Sequence, residues 1–511
     1  MSTGSLNARR RERELDRLTG GERVDVIVVG GGVTGAGIAL DAAARGLSVA
    51  LVEARDLAFG TSRWSSKLVH GGLRYLAKGE LGLAHESAVE RGILMTRTAP
   101  HLTRAMPQLF PLYPGTSRAQ QAVITTGLHA GDALRRAART PSSVLPRPRP
   151  VPAAEALALS PGLAPGGLRG GLLAYDGALV DDARLVVSLA RTAALLGARI
   201  LTRVEAVSLT AEGVRVRDGS AEYDLHARQV INATGVWADT LTDSVQLRPS
   251  RGSHLVLAPG SVSIGATSVN VPVPGETNRF VFLLPQPDGR VYLGLTDEPL
   301  DGEVPPVPSV PESDVDFLLT VASSVLTRPL TREDVIGSFA GLRPLVAGSG
   351  GRSADLSRKH AVVTGTDGVL TVVGGKLTTY RRMAEDAVDA ALVRAGLHAG
   401  PSRTARLPLL GAAPRNRLSL VDAPTRLIAK YGTEAPRVAA LGQVEPEFAA
   451  PLFDGTEITA AEVVWAVRHE GALDAEDVLD RRTRLSLVPA DAAAARPRVQ
   501  DLVAKALAGL S

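Results

Sequence analysis

Apolar residues near the start of the chain fall into two short blocks, Val24–Val29 (VDVIVV) and residues 48–53 (SVALVE). Such unbroken runs suit strands buried on both faces of a parallel sheet. Between them, residues 35–45 are small and helical in pattern, so the segment reads as the β–glycine turn–α–β unit that opens a doubly wound domain. Residues from about 80 to 140 read as helical and amphipathic, as in 83–95, and end in a Pro/Arg connector at 141–152. Further strands are expected at 199–207 and 229–232. The stretch from about 246 to 335 is strand-rich, with 281–284 and 291–295 joined as a hairpin through Pro287-Asp288-Gly289. A buried strand at 369–373 runs into Gly374-Gly375 and a helix. After a Pro/Gly-rich linker at about 400–415 the pattern is mostly helical. Thr459 and Glu462 form a capping box there, and Val499, Leu502, Val503, Ala506 and Leu510 share one face of a last helix.

Composition narrows the chemistry. The chain has 511 residues, enough for two or three domains. Its 57 Lys and Arg against 53 Asp and Glu leave a net charge of only +4, which argues against a nucleic-acid partner. With no cysteine, the chain forms no disulfide, thiolate nucleophile or iron–sulfur ligand set. No metal site is expected either. Residues 1–17 are basic and lack the apolar stretch of a signal peptide. The uncharged run 255–275 is broken by Pro259, Pro272 and Pro274, so no membrane-spanning helix is expected.

Gly30-Gly31-Gly32-Val33-Thr34-Gly35 follows a strand, opens a helix and precedes an acidic residue, Glu53, at the end of the next strand. Glycines there permit a tight turn and close approach of a pyrophosphate to the helix N-terminus. Glu53 can accept from a ribose diol and would repel a 2′-phosphate. FAD or NAD is therefore expected over NADP. A second fingerprint for NAD is missing, since the glycines at 166–171 follow no convincing strand. Two small-residue turns favour FAD: 232–235 (NATG) after a strand, and 374–378 (GGKLT), whose amides can face the charge that develops on a reduced flavin.

With these segments, and with 65–76 (SSKLVHGGLRYL), 180–186 (VDDARLV), 232–237 (NATGVW), 341–345 (GLRPL), 374–381 (GGKLTTYR) and 466–485 (AVRHEGALDAEDVLDRRTRL), the chain resembles the FAD-dependent glycerol-3-phosphate dehydrogenases of the D-amino-acid-oxidase-like superfamily. The likeness runs from about 22 to 488. Arg63-Trp64 departs from the small residues of many relatives. The resemblance implies a Rossmann-like FAD-binding domain (22–80, 165–245 and 336–398) with a mixed-sheet substrate domain (81–164 and 246–335). A C-terminal all-α domain (399–511) follows, and a basic leader (1–21) precedes. It implies non-covalent FAD held at Gly30, Gly32, Thr34, Gly35, Glu53, Thr61, Ser62, Ser66, Lys67, Leu68, Val204, Ala233, Gly235, Gly375, Lys376, Leu377 and Thr378.

The implied substrate is sn-glycerol 3-phosphate, oxidised to dihydroxyacetone phosphate, with a membrane quinone as acceptor. A dianionic phosphate calls for arginine, which binds oxygens bidentately. Arg343, in the rigid turn before Pro344, is the first candidate, with Arg358, Arg74 and the adjacent Tyr75. Loss of the hydroxyl proton calls for a base near neutrality: His70, beside two glycines, or the competing His254. Lys376 is a candidate to stabilise reduced flavin or hold substrate. An oxidase using O2, an amine or amino-acid oxidase, and an RNA-modifying or non-catalytic flavoprotein stay as alternatives. The expected location is the cytoplasm, or the inner face of the cell membrane as a peripheral protein held by Arg9, Arg10, Arg11 and Arg13. The oligomeric state stays open, a homodimer included.

Overall fold

The strand Val24–Val29 lies at the centre of a sheet that is parallel except at its edges in the computed structural model, which describes residues 3–72, 80–115, 118–276, 279–346 and 359–510. On one side it pairs with Val49–Glu53 and then Arg199–Thr202. On the other it pairs with Ala221–Asn232, then Leu370–Val373 and Ala361–Thr364. Alternate side chains face opposite layers. Val26 and Val28 pack on the helices Val33–Ala44, Asp182–Leu195 and Tyr380–Ala395, whereas Ile27 and Val29 pack on the opposite side. Burial on both faces is what makes the strand apolar throughout.

The opposite face is covered by the leader. Its helix, Ala8–Thr19, buries Leu15 and Leu18 against Val24, Ile27 and Leu201. Arg10 donates to the Ala194 carbonyl, and Arg11 donates to Thr202 O and pairs with Asp218. Residues 1–21, expected as a basic leader, thus include a helix that two leucines, one helical turn apart, seat on the sheet. Among the described residues no helix is long and apolar enough to cross a membrane.

A second, ten-stranded sheet stands beside the first. One face packs Leu109, Leu173, Leu255, Val269, Val271 and Leu283 on the helix Glu312–Ser323. Period-two alternation aims the other set of side chains at a cavity between the sheets. The strands Leu68–Val69, Gly171–Leu179 and Val335–Arg343, which the expected bounds place almost wholly in the FAD-binding domain (22–80, 165–245 and 336–398), pair within this second sheet.

Two expected elements divide. The helical stretch from 80 to 140 is split into Leu81–Ile93 and Arg118–Ala137 by a nine-residue strand, Thr103–Pro111. Tertiary pairing with Gly171–Leu179 overrides the local pattern there. The strand at 199–207 breaks at Arg203, which has φ +60°, and Glu205–Thr210 leaves to form a hairpin with Gly213–Asp218. The 287–289 turn joins Phe280–Pro285 to Val291–Gly294 as expected. At the C-terminus, Ala460–His469 starts at the Thr459/Glu462 capping box and packs on Pro489–Ala508 through Val463, Val499 and Val503.

Candidate active site

A cavity of about 1210 Å³ runs from the glycine turn at 30–34 to the open face of the second sheet. Single-ligand pockets are usually on the order of 300–1,000 Å³, so this space admits a dinucleotide with a small substrate beside it. Its first wall is the fingerprint. Gly30 has φ +108°, and a Cβ there would overlap the Ala233 carbonyl. Gly32 caps the helix Val33–Ala44 without any side-chain acceptor; in the first turn Ser62 Oγ accepts from the Val33 amide at 2.9 Å and the Gly32 carbonyl from Ala36 N. The remaining N–H groups suit an anion. Glu53 accepts from Gly31 N (2.6 Å) and Arg55 N (2.8 Å), while burial raises its pKa above the ordinary carboxylate value. This cradle fits FAD: glycine backbone where a diphosphate approaches, and a carboxylate at the strand end where a ribose lies.

Most residues expected at the cofactor do line this cavity: Gly30, Gly32, Thr34, Glu53, Thr61, Ser62, Ser66, Leu68, Ala233, Gly235, Gly375, Lys376, Leu377 and Thr378. Three others do not. Gly35 packs under the turn, where a Cβ would overlap the Gly30 carbonyl. Val204 is wholly buried in the core behind Glu53, and its neighbours Glu205 and Ala206 reach the cavity instead. Lys67 turns inward with φ +58°; its Nζ donates to Arg63 O (2.9 Å) and Asp182 Oδ2 (3.0 Å). Burial lowers the Lys67 ammonium to about 8, and Arg484 adds to the effect.

The second wall carries the candidate chemistry. Arg343, on the last residue of its strand, donates to Ser250 Oγ (3.2 Å), Asp297 Oδ1 (3.1 Å) and Thr296 O (3.1 Å). His254 lies on the adjacent strand, stacked on Phe339 with ring centroids 4.6 Å apart and 7° between planes. Its Nε2 sits 2.8 Å from Ser66 Oγ. Burial, together with the nearby Lys67 and Arg343 cations, pushes His254 down to about 3, so the ring is neutral at physiological pH.

His70 lines the cavity too, on a loop whose next residue, Gly71, donates its N–H to Asp176 (3.2 Å). Asp176 is in turn paired with Arg91 at 2.6 Å, and a Cβ at Gly71 would overlap that guanidinium. Lys376 precedes the 3₁₀ turn Leu377–Thr379, which runs into the helix Tyr380–Ala395. Arg74, Tyr75 and Arg358 lie outside the described residues.

Sequence reading missed Asp176, Arg91, Asp297 and Asp182. Each is an ordinary charged residue in its local pattern, and only partners at least 46 positions away make it part of the site. The signal available was VDDARLV, which contains Asp182.

Comparison with known proteins gives the same picture. The family described as FAD dependent oxidoreductase matches residues 25–381, and the C-terminal domain of alpha-glycerophosphate oxidase matches 402–508. Glycerol-3-phosphate dehydrogenase 1 of Mycobacterium tuberculosis is 53% identical over 96% of each chain. The mitochondrial glycerol-3-phosphate dehydrogenase of Arabidopsis thaliana is 35% identical over 96% of this chain and 84% of its own. Among solved structures, the glycerol-3-phosphate dehydrogenase of Bacillus halodurans complexed with FAD superposes with a TM-score of 0.72 at 26% identity, covering 99% of this chain and 98% of that one.

Proposed function

Because this chain belongs to the family of FAD-dependent glycerol-3-phosphate dehydrogenases, we propose that its cavity oxidises sn-glycerol 3-phosphate to dihydroxyacetone phosphate and that the electrons leave to a membrane quinone. One observation carries the reading: the glycine cradle, His70, Arg343 and Lys376 open into a single cavity. Bound FAD supplies the two-electron acceptor of the alcohol oxidation.

The chain's own residues supply binding, orientation and proton handling. Arg343 receives the phosphate; its permanent charge and forked donors match a phosphate dianion. Ser250, Asp297 and the Thr296 carbonyl hold the guanidinium in place before substrate arrives. His70 takes the C2 hydroxyl proton. His254, held neutral, is a poor base near neutrality and instead orients the substrate through its fixed ring. Lys376 adds positive charge beside the flavin end of the cavity.

The far wall supports a lipid-soluble acceptor. Phe110, Ile124, Leu128, Phe280 and Phe282 line it, and Leu81 and Val123 are 65% and 51% exposed beside it. Peripheral attachment to the inner membrane face rests on this edge, since Arg10 and Arg11 of the leader are held by acceptors within the fold.

Anaerobic addition of glycerol 3-phosphate to the purified yellow protein tests the reaction: bleaching by the phosphorylated substrate and not by glycerol is expected. Reoxidation by a quinone analogue faster than by O2 supports the acceptor. The reverse order assigns the chain as an oxidase.

A further inference from the structure

The tail motif at 466–485 has no part in the cavity lining, yet its charged side chains cross into the nucleotide-binding domain. Glu470 takes Arg184, and Arg481 and Arg482 both take Asp56. Asp480 pairs with Arg63 at 2.6 Å, and Arg63 is 1% exposed. Arg484 goes deepest towards the cavity. Its Nη2 donates to the Arg63 carbonyl, the same oxygen that accepts from Lys67 Nζ. Its guanidinium stands 5.6 Å from the Trp64 ring centroid, with the Arg63 guanidinium over the same ring at 4.2 Å.

Asp182 meets this segment from the other side. One carboxylate oxygen accepts from Ser65 N (2.9 Å), Ser65 Oγ (2.7 Å) and Lys67 Nζ (3.0 Å), while the second oxygen lies 3.8 Å from Arg484. Trp64, Ser65 and Ser66 then line the cavity, and Ser66 holds the His254 ring. Arg484 itself adopts φ +65°, a conformation unfavourable for a residue with a Cβ and retained where surrounding contacts over-determine it. Leu487 and Val488 follow at once and pack on Trp64 and Phe339. The Arg63-Trp64 pair is thus the surface that the tail grips.

We propose that Arg484, contributed by the C-terminal domain, is a positioning residue for the flavin site: by holding the Arg63 carbonyl and Asp182 it fixes the wall formed by Trp64, Ser65 and Ser66. The role rests on the reading that FAD occupies the cavity against that wall. It gives the C-terminal domain a task in shaping the cofactor site, separate from its contribution to stability.

The experiment compares three purified holoenzyme variants by flavin absorption spectrum, FAD dissociation on dilution, and thermal melting. Arg484→Met is expected to bind FAD about tenfold more weakly or worse, the effect of one lost charge-assisted hydrogen bond, with an altered visible absorption envelope. Arg484→Lys, which keeps the charge and one donor, is expected to recover part of both. Arg191→Met is the control. It removes another buried inter-domain pair, to Glu434 at 2.7 Å, at a residue outside the cavity wall. It is expected to melt earlier with the wild-type flavin spectrum.

An unchanged spectrum and affinity in Arg484→Met overturns the proposal, as does an equal loss in Arg191→Met. If Arg484→Met yields no folded protein, Arg484→Lys decides: it must hold FAD more weakly than Arg191→Met, and equal affinities overturn the role. A wild-type protein that takes up no FAD at all overturns the cofactor reading as well.

Discussion

Arg343, at the end of its strand, and Asp297, in the loop just before Glu298–Pro299, form an ion pair, Nη1 to Oδ1 at 3.1 Å, and the pair faces the cavity. A cation kept half-buried and oriented by a carboxylate, a hydroxyl and a carbonyl is prepared for a second anion, because its rotamer entropy is spent before the ligand binds.

Arg343→Ala is therefore expected to lower kcat/KM for glycerol 3-phosphate by about 2–4 kcal/mol while FAD stays bound. Gly252→Ala is the subtler form of the same test, since a Cβ there would overlap the Arg343 guanidinium. The side chain can move aside, so melting should hardly change while KM rises. Wild-type KM values in both variants would remove Arg343 from phosphate binding.

The two histidines are separable by pH. Burial and the neighbouring cations push His254 down to about 3, so it carries no charge near neutrality, and His254→Asn is expected to leave the acidic limb of the kcat/KM profile in place. His70→Asn is expected to abolish that limb and to slow the reaction by roughly 10²–10⁴. A limb that vanishes with His254 instead exchanges the two roles.

Acid stability follows Glu470. Although burial opposes its ionisation, Arg184 and then Arg191 and Arg482 hold it at about 2, against 4.5 for the free side chain. Between those values the unfolded carboxyl is protonated and the folded one is not, so this contribution is full above pH 4.5 and lost as pH falls towards 2. Unfolding titrations should show the wild type losing stability in that window, with a flatter dependence in Glu470→Gln. That variant starts lower overall because Arg184 is left buried without its partner charge.

FAD is expected to be non-covalent, so heat or acid precipitation should release it to the supernatant. Glu53→Ala should weaken retention, because both the Gly31 and Arg55 amides lose their acceptor. Flavin that stays in the precipitate contradicts the first expectation.

For the leader, Leu18→Ala is expected to cost about 2–5 kcal/mol of stability, the usual range for a buried leucine, since Leu18 is wholly buried. If melting is unchanged and only liposome binding falls, the leader is a membrane device after all.

What the sequence determined by itself is local. Consecutive residues encode the glycine turn, the flanking strands, the hairpin at 287–289 and the Thr459 cap, because each depends on contacts within a few positions or on a run of uniform polarity. The glycine, histidine and arginine motifs of the cavity were legible for the same reason. Tertiary structure alone decided the rest. Thr103–Pro111 is a strand because Gly171–Leu179 lies beside it, and Leu15 and Leu18 dock because the sheet leaves an apolar face uncovered. Lys67 turns away from the cavity because Asp182, 115 residues later, neutralises it inside. Arg484 reaches the Arg63 carbonyl across 421 positions of chain. Such partnerships join charges and apolar faces that look ordinary in their own neighbourhoods, and only the folded chain brings them within bonding distance.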